Sequence, residues 1–572
     1  MVRAGRWVAP CYALGLTLLV LAPLLRPGYL LLRDAVSTPR SYLTGSALGL
    51  GETAPRAVPQ DFAVALASRL FDGGTVVKTL LIAALWLAGC GAARLVATVL
   101  PEAGRPGQLV AVTVAIWNPY VAERLLQGHW SLLVGYGCLP WVAEAMLRLR
   151  SGSDGPLRPT GLFGLAFFLA LAGLTPTGLL LAAVVALVCV AAPGSGPPRW
   201  WCATGTVAIT ATAALPWLMA LVVGPGSVRG EPAGAAAFAA RAEPGLGTLG
   251  SLAGLAGIWN ADAVPGSRTT VFALVATAVL LGMVALGVPT VRQIPAARPL
   301  LVLAGTAVLV LAMLATGPGL AVLGWAVDVA PGARLLRDGQ KWVALAVPGY
   351  VLAAAGAVVG LRDRFPPPRA ALACCVALIV VLPDLAWGVG GRISPVHYPP
   401  GWAAVAAKIN ADPRPVAVLP ADTMRHFAWA GPAPVLDPLG RWVRAEVLTT
   451  GDLSVGGQTV PGEGAHARAV QQALLSGAEP VTLGVYGVGW VVVESGTDGE
   501  LGAAAKTLSR LPVAYRDSDF TVYRVGGRAP KGSAAARRAV VAAHLGWLAM
   551  LVVGAAGLAA AGIRQRRHPG RE

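Results

Sequence analysis

Apolar residues fall in long runs along the chain, for example at 12–25, 271–288, 300–315 and 539–561. A run of about 20 apolar residues is long enough to cross a bilayer. The pattern predicts about twelve spans, at 8–25, 76–100, 107–125, 129–147, 160–174, 176–193, 200–223, 269–288, 298–316, 342–361, 369–388 and 539–562. The fifth and sixth are short and also fit one bent hairpin. Gly317-Pro318-Gly319 opens a weaker apolar stretch, 320–330, of re-entrant or interfacial character. Irregular backbone survives at membrane depth only when shielded by protein. The first run is not read as a removable signal peptide, because it lacks a small-x-small cleavage site and Arg26-Pro27 follows directly.

The polar segments between the runs set the orientation. With the N-terminus inside, the cytoplasmic pieces hold Arg3, Arg6, Arg105, Arg148, Arg150, Arg158, Arg199, Arg292, Arg298, Arg362, Arg364, Arg369, Arg564, Arg566, Arg567 and Arg571. Few acids accompany them: Glu102, Asp154, Asp363 and Glu572. Every second loop thus obeys the positive-inside rule. The outside receives loops at 26–75, 224–268 and 317–341, and a segment at 389–538 long enough for a domain. That segment has strand-like runs at 416–419, 490–494 and 520–525 and a helical stretch at 465–475, which together predict a small α/β domain. The expected architecture is therefore an α-helical polytopic membrane protein over 1–388 with an extracytoplasmic α/β domain over 389–538. A final span at 539–562 and a cytoplasmic basic tail at 563–572 complete it.

Composition strengthens the membrane reading. Of 572 residues, 55% are hydrophobic and 13% charged, and the mean hydropathy is +0.64. Soluble domains carry about 25% charged residues. The net charge of +17 does not indicate nucleic acid, because the basic residues are scattered through short loops with no basic stripe or aromatic-basic motif. All seven cysteines lie in apolar runs, so the outer domain is expected to fold without disulfides.

Three places carry candidate chemistry. The first outer loop opens with Arg26-Pro27-Gly28-Tyr29 and reaches Asp34 close to the membrane surface; Asp61 follows later in the loop. Either carboxylate has the acceptor chemistry of a general base, which must hydrogen-bond to the hydroxyl it activates. The structural alternative pairs Asp34 with Arg33 or Arg40. The third span ends in Trp117-Asn118-Pro119-Tyr120 and Glu123-Arg124, and Gln127-Gly128-His129-Trp130 follows. Ionisable groups at an outer interface usually have a partner or a task. Ion pairing between neighbouring helices explains them equally well. The segment Arg334 to Trp342 contains Arg334, Arg337, Asp338, Gln340 and Lys341 at a predicted outer boundary. Three cations there depart from the positive-inside pattern and suit a phosphate group, with Arg supplying a planar fork and Lys a point charge. Snorkelling at a helix end is the competing explanation. Glu243, Asp262, His397, His426 and His466 have no distinctive spacing.

These pieces together resemble the C-type (GT-C) glycosyltransferases, in particular actinobacterial members akin to mycobacterial arabinofuranosyl- and mannosyltransferases. The likeness rests on the long first outer loop with Asp34 near its start and on Asn118-Pro119-Tyr120 before a short hairpin. Arg337-Asp338-Gly339-Gln340-Lys341 and the outer C-terminal region complete it. The resemblance implies a polyprenyl-phosphate sugar donor, an envelope glycan or glycolipid acceptor and an acidic residue in the first outer loop. It often implies a divalent metal (Mg, Mn or Ca) as well. It gives Asp34, with Asp61 as the alternative, the role of base. It gives Arg337, Lys341 and Arg334 the donor phosphate, and Glu123, Arg124, His129, Asp338 and Gln340 supporting roles. The sequence departs from the common pattern in lacking an acidic pair beside Asp34. Two other classes stay open: a transporter of a lipid-linked precursor, which needs a polar path and often repeated halves, and a non-catalytic envelope scaffold.

Overall fold

The computed structural model describes residues 7–152, 160–224, 233–455, 457–528 and 532–567. Arg3, Arg6, Arg158, Arg571, Asp154 and Glu572, used above for orientation, lie outside the described residues. The chain is mostly helical, and each apolar run forms helix. Eight helices are long and apolar enough to cross a membrane, or ten if each of two bent pairs is one span. The protein therefore has the make-up of a multi-pass membrane protein.

The remaining two expected spans are the short helices Thr160–Ala172 and Pro176–Cys189. At 1.5 Å per residue each reaches only about 20 Å, short of the roughly 30 Å hydrocarbon layer. Thr175 caps the second helix by accepting from Gly178 N, with Pro176 in the first turn, so the two helices form a tight hairpin. Because they come as a pair, counting them or not leaves the sidedness of every later loop unchanged. The weak stretch after Gly317 is the helix Gly317–Val329, turned by 90° from Arg298–Leu314.

The run expected at 107–125 falls within one of the eight, Pro101–Leu126, and its helix is interrupted near the C-terminal end. Helix Gly104–Ile116 ends at Trp117, and Asn118 caps a new helix, Pro119–Leu126, by accepting from Val121 N at 3.1 Å. Proline suits a first helical position because its missing N–H would be unpaired there anyway. Asn118 Nδ2 also donates to Val114 O at 2.8 Å, which ties the two pieces together. The break leaves Glu123 and Arg124 on a short helix that is buried throughout.

The C-terminal region carries a four-stranded mixed sheet in the order Val416–Leu419, Trp490–Glu494, Phe520–Arg524, Val513–Arg516. The first pair is parallel and the other two are antiparallel. Strand residues alternate between two cores, as the two-residue period requires. Val416, Trp490, Val492, Phe520 and Val522 enter one core, with Trp402 of helix Pro400–Ala411. Ala417, Leu419 and Val491 enter the other, with Val470 and Leu474 of helix Ala465–Leu475. The first core also contains Leu31 and Val36 from the first loop. Tyr29 pairs with Val396 and Arg33 with Val435 through the backbone, so the loop and the sheet region share packing. All seven cysteines are free.

Candidate functional site

The first loop brings Asp34 to its site through a tight hairpin. Leu31–Leu32 and Ala35–Val36 pair antiparallel, which leaves Arg33 and Asp34 as the two turn residues. Arg33 has φ +48°, in the left-handed region, and its strain is offset by its contacts. Its guanidinium donates to Leu126 O at 2.6 Å and Asp262 O at 3.0 Å, and its backbone N–H donates to Pro434 O. The hairpin rests on Gly128, where an added Cβ would lie 2.4 Å from Ala35 N and Leu32 O. Gly128 also has φ +83°. Glycine is thus required between Gln127 and His129, and it lets both flanking side chains reach the turn.

Both do so. Gln127 Nε2 donates to Asp34 Oδ2 at 3.0 Å, and His129 Nε2 lies 3.0 Å from the same oxygen. Gln127 is itself held by Asn260 Nδ2, which donates to its Oε1 at 2.8 Å. On its other side, His129 Nδ1 is 3.1 Å from Arg124 Nη1. Arg124 forms a two-point pair with Asp338 at 2.8 and 3.0 Å and also donates to Gln340 Oε1. Gln340 Nε2 donates to Glu123 Oε2 at 2.9 Å, and Glu123 accepts from Gly257 N and Ile258 N. Lys341 Nζ closes the group, 3.5 Å from Asp338 Oδ2. Asp34, Glu123, Arg124, His129, Asp338, Gln340 and Lys341 therefore belong to one connected cluster.

Exposure shows which side of the cluster is open. The Arg124 side chain is 0% exposed, whereas His129, Lys341 and Asp34 are 16%, 24% and 36% exposed. Burial opposes charge on Asp34, but hydrogen bonds from His129 and Gln127 and the charge of Lys341 hold its carboxyl below the usual range. Burial, with the charges of Lys341 and Arg124, pushes the His129 imidazole down to about 4 against the pull of Asp34. Asp338 is buried too, yet Arg124 and Lys341 hold its carboxyl far below the ordinary value. Near neutral pH, Asp34 is a carboxylate beside a neutral imidazole. Both side-chain donors meet its Oδ2.

The other sequence candidates lie elsewhere. Asp61 sits on helix Gln60–Ala67, 3.3 Å from Arg441 Nε and bonded to the Gln60 amide. The cationic segment divides in two. Lys341 faces Asp338, while Arg337 lies over the Phe238 ring at 4.4 Å. Burial and the charge of Arg56 lower the Arg337 guanidinium to about 10. Arg334 lies 3.6 Å from Glu463, which also pairs with Arg56. Glu243 is buried in a two-point pair with Arg268, a structural role. Asp262 meets Arg33 through its carbonyl. Sequence reasoning missed Gln127, Asn260 and Glu463 as members of these clusters. Gln127 stands in the segment Gln127-Gly128-His129-Trp130 and Asn260 lies two residues before Asp262, whereas nothing in the sequence marks Glu463.

The donor set does not suit a divalent cation. No group of three or more His, Cys, Asp or Glu among the described residues is arranged to hold one. Asp34 instead has an amide donor, an imidazole and the Lys341 ammonium around it. The arrangement can accept a proton at the carboxylate and stabilise a developing anion at the ammonium. Compared with protein-family models and with curated proteins, the chain matches no family and no curated relative.

Proposed function

We propose that the protein is a GT-C-like glycosyltransferase acting on the outer face of a bacterial cytoplasmic membrane. Its donor is a polyprenyl-phosphate sugar, and its acceptor is a cell-envelope glycan or glycolipid. In this reading the chain crosses the membrane about twelve times with both termini inside, and residues 389–538 form an extracytoplasmic domain. The observation that carries the reading is the meeting of Asp34, from the first outer loop, with His129, Gln127 and the charge of Lys341 at the open side of a buried polar cluster.

The chemistry then follows. An acceptor hydroxyl gives its proton to Asp34, and its oxygen forms the bond to the anomeric carbon. The bond from that carbon to the lipid phosphate breaks, and its electron pair stays on the phosphate. Lys341 offsets the charge that develops there. Arg334 and Arg337, grouped with Arg56 around Glu463, are a second cationic patch for the donor's phosphate. The site residues are those of a base and an anion stabiliser, and no step is routed through a metal.

The test is sugar transfer by the purified protein from radiolabelled polyprenyl-phosphate sugars to an envelope glycan extract. Label appearing in the glycan supports the proposal. Movement of the intact lipid-linked sugar across a reconstituted bilayer without transfer identifies a transporter instead. Neither activity, from folded protein across the common donors, leaves the scaffold.

A further inference from the structure

The proposed base has a histidine 3.0 Å from it, and histidine is the side chain most often suspected of proton transfer near neutral pH. The surroundings of His129 decide between the two. Four charged groups face the ring. Asp34 comes from the first loop, Arg124 from the helix just before it, and Lys341 and Asp338 from the segment that follows Arg337. A guanidinium has only donors to offer. Arg124 Nη1 lies 3.1 Å from Nδ1, so Nδ1 presents a lone pair there, and the ring proton sits on Nε2. That proton points at Asp34 Oδ2. The Arg124 side chain is fully buried and fixed by two bonds to Asp338, so the tautomer is imposed from within the protein.

We infer that His129 is a positioning residue for Asp34, locked by Arg124 as the neutral Nε2–H tautomer so that Asp34 Oδ2 is occupied and Oδ1 is left to accept the incoming proton. This rests on the reading of Asp34 as the base. His129 itself takes no proton from the acceptor, since Nε2 already carries one and Nδ1 is capped by Arg124. Gln127 adds a second donor to Oδ2 and Asn260 steadies Gln127, so the carboxylate is held from two directions. The low basicity of the ring agrees with this, because a neutral donor is retained as the pH falls below the ordinary imidazole range. The pH profile of transfer should therefore show no inflection in that range.

The chain has six histidines, so the experiment uses full-length, 15N-histidine-labelled protein in nanodiscs, with His129→Gln identifying the signal. The expected spectrum at pH 7 has a protonated Nε2 and a bare Nδ1, unchanged at pH 5. A protonated Nδ1 at pH 7, alone or with Nε2, overturns the inference. The second readout is the titration of the Asp34 carboxyl by 13C NMR. His129→Phe removes the donor and should move that titration upward, whereas His129→Gln restores an N–H donor and should move it less. Equal Asp34 titrations in all three proteins also overturn the inference. Transfer, if present, should fall about 10²-fold in His129→Phe, the scale of a misplaced reacting group, with partial recovery in His129→Gln. The expected spectra in a protein that transfers no sugar would uphold the locked pair and refute the proposed function, so the two failures are distinguishable.

Discussion

Two buried charge clusters in this molecule solve the same problem differently. At the ends of the membrane helices, Arg124 is paired at two points with Asp338 and bonded to Gln340, which continues to Glu123 and its backbone donors. The chain of bonds runs out through His129 to Asp34, whose side chain is partly open. In the sheet region, Arg425 lies 3.1 Å from Glu494, and both are buried. There, the Arg425 Nε–Glu494 Oε2 contact is poorly aligned for a hydrogen bond, and Arg425 Nη1 and Glu494 Oε1 have no partner among the described residues. Burial and the charge of Asp437 push the Glu494 carboxyl well above its usual range, against the pull of Arg425. The first cluster is directional and ends at an outlet, while the second is buried, with its Glu494 carboxyl held well above the usual range. Buried ionisable groups are therefore not in themselves a site; an outlet and a continuous run of side-chain hydrogen bonds leading to it distinguish one.

The largest stability effect should come from breaking the directional cluster. Arg124→Ala takes both guanidinium hydrogen bonds from buried Asp338 and removes the donor to Gln340, so it should cost about 3–5 kcal/mol, the scale for removing one partner of a buried pair. Thermal unfolding of the purified variant in detergent measures this, and an unchanged midpoint would show that the Arg124–Asp338 pair adds no net stability. The cluster in the sheet region should respond differently. Replacing both partners, with Arg425→Met and Glu494→Leu together, should be neutral or stabilising by up to about 4 kcal/mol, because both members of a desolvated pair are removed at once. A large loss in the double variant would erase the contrast between the clusters.

A smaller effect lies in pH dependence. Because Glu494 binds its proton more tightly in the folded than in the unfolded chain, the folded state carries more protons above pH 4.5. Stability from this group is thus full below the ordinary carboxylate value and lost as pH rises through the folded-state value. Glu494→Gln should flatten that decline, and matching slopes in variant and wild type would contradict the sign. The smallest effect should be that of Asp61→Asn. Its pair with Arg441 is partly exposed, so the loss should be within about 0–1 kcal/mol. A larger loss would make the second half of the first loop as well braced as the first.

The helical layout was legible because apolar runs follow directly from the bilayer as solvent. The strands at 416–419 and 490–494 were legible for a related reason, since a sheet covered on both faces reads as a continuous apolar run. The break at Asn118 was missed inside an apolar run, although Asn before Pro is a helix-start signal that marks it. Asp34, Arg124 and Lys341 could each be singled out by their place near a predicted outer boundary. Their meeting could not, because it depends on a hairpin turn seated on Gly128 and on long-range packing. The separation of Arg337 from Lys341 was equally hidden. Around them the backbone forms 3-10 turns, Pro331–Leu336 and Gly339–Ala346, with Arg337 between the two turns and Lys341 in the second. An α-helical periodicity would have put residues four apart on one face.

The most direct measurement is sugar transfer from a labelled polyprenyl-phosphate donor by wild type, Asp34→Asn and Asp61→Asn, each reconstituted at equal folded amount. Asn keeps the shape of Asp and cannot take the proton. The expected result is transfer by wild type and Asp61→Asn, with a loss of about 10²–10⁴ in Asp34→Asn, the scale of a missing general base. Full transfer by Asp34→Asn would contradict the assignment, and its loss in Asp61→Asn alone would move the base to Asp61.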